Sequence, residues 1–344
     1  MRAVYGALNA NINYKPPPVP SNILVSSLCE YKRLKFLDST KLIENDKNKY
    51  YYNATITDNN RLFYRTGTIN KGQEDKIATC LLDESLNVIP DTNKYIHVHS
   101  NWGQSARTRK LKDMMPGFFK NGEHVEDPRA IIVGCSYFIF YTDGLTVGVA
   151  KLNLNCNTIY SHYLFVPTDS PKFSDSDGRE KNWSPVISDN TIYLLYSVSP
   201  LIYFKCLDKG DSLEIDSVLP LNKTISWDYG HIRGGTPAAK YDDNSLIWCF
   251  HSVLPFDTHS RKMSSHYMFS VYVTTKTFPF DLIKLCNIPL LIGIPSHFTK
   301  TLYLQHNVVF PCGLIKTENG WRISMGVNDY EIAFLDITEE DFLW

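Results

Sequence analysis

A unit that recurs five times limits this chain more than any other feature. Each copy has a polar or proline opening, a short strand, a turn, an aromatic strand ending in a polar residue, and one or two further strands. Asn53-Ala54-Thr55-Ile56 leads to Arg61-Leu62-Phe63-Tyr64-Arg65, and Asp127-Pro128-Arg129-Ala130-Ile131 leads to Tyr137-Phe138-Ile139-Phe140-Tyr141-Thr142. Asn182-Trp183-Ser184-Pro185-Val186 precedes Thr191 to Ser197, and Gly234-Gly235-Thr236-Pro237-Ala238 precedes Leu246 to His251. In the last copy, Val308-Val309-Phe310-Pro311-Cys312-Gly313 runs on to Trp321 to Asp329. Turn signals such as Asp58-Asn59-Asn60 and Asp242-Asp243-Asn244 separate these runs, and no long amphipathic helical pattern interrupts them. The class is therefore all-β. Spacings of 55 residues from Asp127 to Asn182 and 52 from Asn182 to Gly234 suit four-stranded blades, so the pattern predicts a five-bladed β-propeller. The reading divides the chain into an N-terminal extension, 1–52, and a propeller domain, 53–344. The run Pro16-Pro17-Pro18-Val19-Pro20 makes the start of the extension an extended arm outside the blades.

Composition narrows the function. The 344 residues are 43% hydrophobic, enough for a large core, and 35 Lys and Arg nearly balance 36 Asp and Glu. That balance argues against a nucleic-acid surface, which needs a basic field to displace counterions. No apolar run is long enough for a membrane span, and the first residues lack the apolar core of a signal peptide, so the expected location is the cytoplasm. The eight cysteines form no CxxC pair, which speaks against zinc. No cofactor is expected. The sequons at Asn53, Asn182 and Asn222 read as accidental without a secretion signal.

Equivalent positions of a propeller converge on its axis. Asn53, Arg65, Asp127, Lys181, Asn182, Arg233, His251 and Asp329 all lie at strand openings or ends of the unit, and so become one constellation. Acids among several cations suit a polar ligand bearing an anionic group. Within it, Glu126-Asp127-Pro128-Arg129 packs two carboxylates, a rigid proline and a guanidinium together. Such a tetrad can tune a general acid, or simply salt-bridge the start of a strand. Three other features have bland readings: His97-Val98-His99 as loop histidines without a third metal ligand, Arg107 to Lys112 as a solvated basic loop, and Gly234-Gly235 as tight blade geometry.

Six motifs in order carry a resemblance: Glu126-Asp127-Pro128-Arg129, Lys181-Asn182-Trp183-Ser184-Pro185, Gly234-Gly235-Thr236-Pro237, Phe250-His251, Phe310-Pro311-Cys312-Gly313 and Gly326-Val327-Asn328-Asp329. From about Asn53 to Ile337 the chain resembles glycoside hydrolase family 130 and the related glycosyltransferase family 108. The resemblance implies a five-bladed propeller and inverting chemistry on β-mannosides, either phosphorolysis to mannose 1-phosphate or transfer from GDP-mannose. It also implies that Asp127 is the catalytic acid and that Asn53, Arg65 and Asp329 hold the mannose, with Arg129, Asn182 and Arg233 as further substrate-binding residues. Arg179, Lys181 and His251 would bind phosphate. At Tyr196-Ser197-Val198-Ser199-Pro200 the chain lacks a basic residue that phosphorylases often carry, which weighs against inorganic phosphate as acceptor.

The residue types agree with such chemistry. An inverting hydrolase needs two carboxyls, one as acid and one as base for water, whereas phosphate is already an anion and needs no base. One acid with several cations therefore fits transfer to or from phosphate. Two alternatives remain open. A hydrolase would draw its second carboxylate from Glu126, Asp143 or Asp329, and a non-catalytic glycan-binding propeller would need aromatic platforms such as Trp183 but no acid.

Overall fold

The structure is a computed structural model that describes residues 31–43, 49–68, 75–98, 125–142, 146–167, 180–221, 223–257, 263–293 and 306–344. Five antiparallel sheets follow one another along the chain. Blade 1 contains Lys49–Ile56, Arg61–Thr68, Lys76–Leu81 and Lys94–Ile96. Blade 2 contains Glu126–Val133, Ser136–Thr142, Val147–Asn153 and Thr158–Tyr163. Blade 3 is built from Ser184–Ser188, Thr191–Val198, Leu201–Asp208 and Leu213–Pro220. Blade 4 runs His231–Gly234, Ser245–Asp257, Met263–Thr275 and Leu282–Leu285, with short strands added. Blade 5 has Val309–Thr317, Gly320–Val327 and Glu331–Ile337, and its outermost strand is Lys35–Phe36. The result is a five-bladed β-propeller.

The aromatic runs follow from this arrangement. Each blade is covered on both faces, so a strand can be apolar at every position and still obey a period of two. In Ser136–Thr142, Phe138 and Phe140 pack toward blade 3 with Trp183, Leu194 and Phe204. The alternating Tyr137, Ile139 and Tyr141 face blade 1 with Phe63 and Ile77. Blade 3 does the same, sending Leu195 and Tyr203 to Trp248, Phe250 and Tyr272 of blade 4. Ile247, Cys249 and Phe269 then meet Ile323, Met325 and Val327 of blade 5, and Ile315 and Phe334 meet Ala54, Leu62 and Tyr64 of blade 1. All five junctions thus hold an apolar cluster, which closes the ring. Each large side chain buried there contributes roughly 1.5–3 kcal/mol.

Two details depart from the sequence pattern. Residues 31–43 lie within the segment read as an extension, yet Lys35–Phe36 pairs with Glu331–Ile337 in the register Lys35↔Phe334 and Phe36↔Ala333. Arg33 fastens the same segment by donating to Asp341 Oδ1 at 2.7 Å and to Asp336 O at 2.6 Å. The first blade likewise starts at Lys49, ahead of the expected Asn53. The proline-rich arm lies outside the described residues. In blade 4, Gly235-Thr236-Pro237 separates His231–Gly234 from Ala239–Lys240, both of which pair with Ser245–Asp257. Pro237 has no N–H to give the ladder, and a Cβ on Gly235 would lie 2.5 Å from Cys249 O.

Candidate active site

The recurring Asn and Asp residues occupy a shared backbone conformation. Asn53 has φ 49° and Asp127 φ 53°, each at a slip in register between the two inner strands of its blade, after Tyr52 and after Glu126. Asn182, with φ 64°, immediately precedes the inner strand pair of blade 3, and Asn328 and Asp329, both φ 53°, follow Gly320–Val327. Left-handed backbone is costly for most L-residues and least so for Asn and Asp, whose short polar side chains bond locally. A bulge also releases its extra residue from the ladder and re-aims the side chain. The same residue type therefore recurs because the same bend recurs.

At the junction of blades 1 and 2 these bends bring an acid and its partners together. Asn53 Nδ2 donates to Asp127 Oδ1 at 2.7 Å, and Arg65 Nη1 reaches the same oxygen at 3.4 Å. Among the described residues, Asp127 Oδ2 takes no partner. Arg65 Nη2 donates to Asp75 Oδ2 at 2.9 Å and to Glu126 Oε1 at 2.8 Å, while its guanidinium lies 4.7 Å from the Tyr52 ring centroid. Burial opposes the Arg65 charge, but Glu126, Tyr52, Asp75 and Asp127 outweigh it and keep the group firmly protonated. Burial pushes the Glu126 carboxyl upward, with Arg65 pulling the other way. Asp329 is pushed to about 7, first by burial and then by Asp127 and Glu126 against Arg65.

Arg129, expected among the substrate-binding residues, braces the backbone of the tetrad. It is only 3% exposed and its donors are turned inward. Nε donates to Gly235 O, Nη1 to Asp127 O at 3.1 Å and Nη2 to Asn182 Oδ1 at 3.3 Å, with the guanidinium 5.5 Å from the Phe310 ring centroid. One side chain thus ties blades 2, 3, 4 and 5 and holds the Asp127 backbone.

The basic residues of blade 4 form a pair of their own. Arg233 stands directly opposite His251 in the blade 4 ladder. His251 is buried, and burial, followed by Arg233 and Arg129, holds its imidazole well below the ordinary histidine range. It is therefore neutral at physiological pH, and among the described residues its Nδ1 has no partner. The Lys181 charge acts on both Glu126 and His251. Arg179, Asp143, His99 and the basic run Arg107 to Lys112 lie outside the described residues. Asn182 and Asn53 are buried, which leaves neither side chain open to N-linked glycosylation.

Asp75 and Tyr52 were not legible as site residues. Asp75 follows the polar Gly72-Gln73-Glu74 and resembles any solvated turn, and Tyr52 belongs to a stretch read as extension. The run Tyr50-Tyr51-Tyr52 was the available signal, because three consecutive aromatics need cover on both faces of a strand.

The Asp329 shift has a sign that can be tested. Its folded value of about 7 lies above the ordinary carboxylate value of 3.8, so the native state holds the proton more tightly. The favourable contribution is fully present below the unfolded pKa and disappears as pH rises through about 7. Asp329→Asn, which cannot ionise, is expected to melt well above wild type at pH 8, by less at pH 5, and close to it only at pH 3, below the unfolded pKa. Equal differences at the three pH values would contradict a protonated Asp329.

No protein-family model matches the chain, and no curated protein matches it by sequence. Solved structures do match. A member of the GH130 family of mannoside phosphorylases, described with glycoside hydrolases that target β-1,2 mannosidic linkages in Candida mannan, is 13% identical with a TM-score of 0.56, over 96% of this chain and 97% of that one. A GDP-Man-dependent mannosyltransferase from Leishmania mexicana is 12% identical with a TM-score of 0.57, over 92% and 94%. A mannose phosphorylase from the same organism, solved with phosphate ion, is 9% identical with a TM-score of 0.53, over 93% and 95%. Across nearly its whole length, the chain therefore has the propeller fold found in mannoside phosphorylases of family GH130 and in this mannosyltransferase.

Proposed function

We propose that this protein is a carbohydrate-active enzyme that transfers a mannosyl unit between a sugar acceptor and a phosphate-bearing partner, either phosphate with mannose 1-phosphate or GDP-mannose. The observation that carries the proposal is the asymmetry at Asp127. Both side-chain donors, Asn53 and Arg65, fall on Oδ1, which leaves Oδ2 to exchange a proton with a bound ligand. A carboxyl held in this way is suited to protonate a departing glycosidic oxygen, or to take a proton from an acceptor hydroxyl in the synthetic direction. Across the site, Lys181, Arg233 and neutral His251 supply a point charge, a fork and a hydrogen-bonding nitrogen for the anion that leaves or attacks. Phosphate needs no deprotonation, so one placed acid suffices. The likeness in fold to mannoside phosphorylases and to a GDP-Man-dependent transferase supports the choice of sugar.

The direct test supplies mannose 1-phosphate or GDP-mannose with a panel of sugar acceptors and measures release of phosphate or GDP. Release only in the presence of an acceptor is the expected result, and no release from either donor would overturn the proposal. A second reading, inverting hydrolysis, is favoured by Asp329. A carboxyl titrating at about 7 in the same cluster has the affinity that a base for water needs. Free mannose appearing from a β-mannoside without phosphate would select it.

The basic half gives a further expectation. Phosphate, mannose 1-phosphate or GDP-mannose at millimolar concentration should raise the melting midpoint, since ligand that binds only the native state adds about 2.7 kcal/mol at a hundredfold excess over its Kd. His251→Ala should remove most of the shift. If none of the three compounds moves the wild-type midpoint, the anion assignment fails.

A further inference from the structure

Asp75 is the most buried carboxylate around the site, with a side chain only 2% exposed, and the chemistry described so far gives it nothing to do. Its surroundings are built to hold it. Tyr50 donates its hydroxyl to Asp75 Oδ1 at 3.3 Å, and the Asp75 carbonyl accepts from Val125 N at 3.1 Å, one residue before Glu126. The space is closed as well: a Cβ on Gly67 would lie 2.3 Å from Asp75 Oδ1 and 2.6 Å from the Tyr50 hydroxyl. Only glycine at 67 lets the tyrosine and the aspartate meet.

The other oxygen of Asp75 fixes Arg65. Arg65 Nη2 is shared between Asp75 Oδ2 at 2.9 Å and Glu126 Oε1 at 2.8 Å, and Nη1 reaches Asp127 Oδ1 at 3.4 Å. A guanidinium is planar and rigid, so pinning one end and covering one face with Tyr52 sets the direction of the other end. We propose that Asp75 is a positioning residue: through Arg65 it determines how a single cation is divided between Glu126 and Asp127. The proposal rests on the reading of Asp127 as the proton-transferring group, and it adds the residue that aims the arginine at it.

The charges facing Arg65 make the effect measurable. They are Asp75, Glu126, Asp127 and Asp329, with Tyr52 stacked alongside and Lys181 acting on Glu126 from blade 3. Asp75 draws part of the arginine's charge to itself and repels Glu126, and in both ways it favours the protonated Glu126. An asparagine at 75 would keep an acceptor for Nη2 but no charge. Arg65 would then bear more fully on Glu126.

The experiment uses the full chain carrying Asp75→Asn and, separately, Tyr50→Phe, which deletes the hydroxyl on Asp75 and keeps the ring. The Glu126 carboxyl is followed by carbon-13 NMR against pH, and turnover per folded molecule is measured with mannose 1-phosphate or GDP-mannose. In Asp75→Asn the Glu126 midpoint should move to lower pH, and turnover should fall about 10- to 100-fold, the size of effect that misplaced catalytic groups produce. Tyr50→Phe should move the midpoint in the same direction by less. It decides the matter alone if Asp75→Asn does not fold. A Glu126 midpoint unchanged from wild type in the folded variants overturns the proposal, because a merely structural Asp75 would alter stability without altering that titration. The NMR readout needs no substrate, so a wild-type protein inactive on both donors would defeat the transferase reading and leave the role of Asp75 to be settled by the titration.

Discussion

Asp127→Asn is expected to lower turnover by about a hundred- to ten-thousand-fold, the range typical of a lost general acid or base. The fold should survive. Asparagine tolerates the left-handed backbone that Asp127 adopts at φ 53°, and its amide oxygen can still accept from Asn53 Nδ2 and Arg65 Nη1. What disappears is the carboxyl proposed to exchange a proton with the ligand. A mannoside with a good leaving group departs with little protonation, so its cleavage should be largely spared in the variant. A purely structural Asp127 predicts something else: a lower melting point, activity that follows the folded fraction, and equal losses on natural and activated donors. The decisive quantity is turnover per folded molecule on the two donors side by side.

Arg129→Ala should produce the largest loss of stability among single substitutions in the site. Three acceptors, Gly235 O, Asp127 O and Asn182 Oδ1, lose their donor at once, two of them in buried bonds. An unsatisfied buried group costs about 1–3 kcal/mol, so the total is several kcal/mol even before the contact with Phe310 is counted. Against a native stability of roughly 5–15 kcal/mol, this is enough to leave much of the protein unfolded under mild denaturant. Arg129→Lys should rescue little, since an ammonium cannot reach three separated acceptors with a fork's geometry. Urea unfolding of the three proteins checks this. An alanine variant with the wild-type midpoint would show that the four blades do not depend on this brace.

The propeller could be read from the sequence because blades packed on both faces write unbroken aromatic runs such as Tyr137 to Tyr141, and five of them recur with similar openings. The acid half of the site was legible in part. The place of Asn53, Asp127 and Asn182 at strand openings grouped them, but the bend itself was hidden: a residue before proline is expected to be extended, whereas Asp127 adopts φ 53° ahead of Pro128. Arg129 was visible as a residue that orients the tetrad, but the reach of its brace was not, since its acceptors lie on blades 3 and 4, distant in the chain. Asp75 was hidden for the same reason. Nothing within a few residues of it reveals a partnership with Tyr50 and Arg65. The strand Lys35–Phe36 left no trace either, because two exposed residues carry no periodicity.

The pairing of Lys35–Phe36 with Glu331–Ile337 also has a consequence in time. It joins segments separated by almost the whole chain, the kind of contact that forms last and slowly because a long loop must close before anything is gained. The same closing step seats blade 5 against blade 1, where Ile56 N donates to Ser324 Oγ at 3.0 Å. It also delivers Asp329 to the neighbourhood of Arg65 and Asp127. During synthesis, blades 1 to 4 can emerge and stack before Asp329 reaches Arg65 and Asp127. The carboxyl cluster around Arg65 is therefore completed only when blade 5 closes the ring.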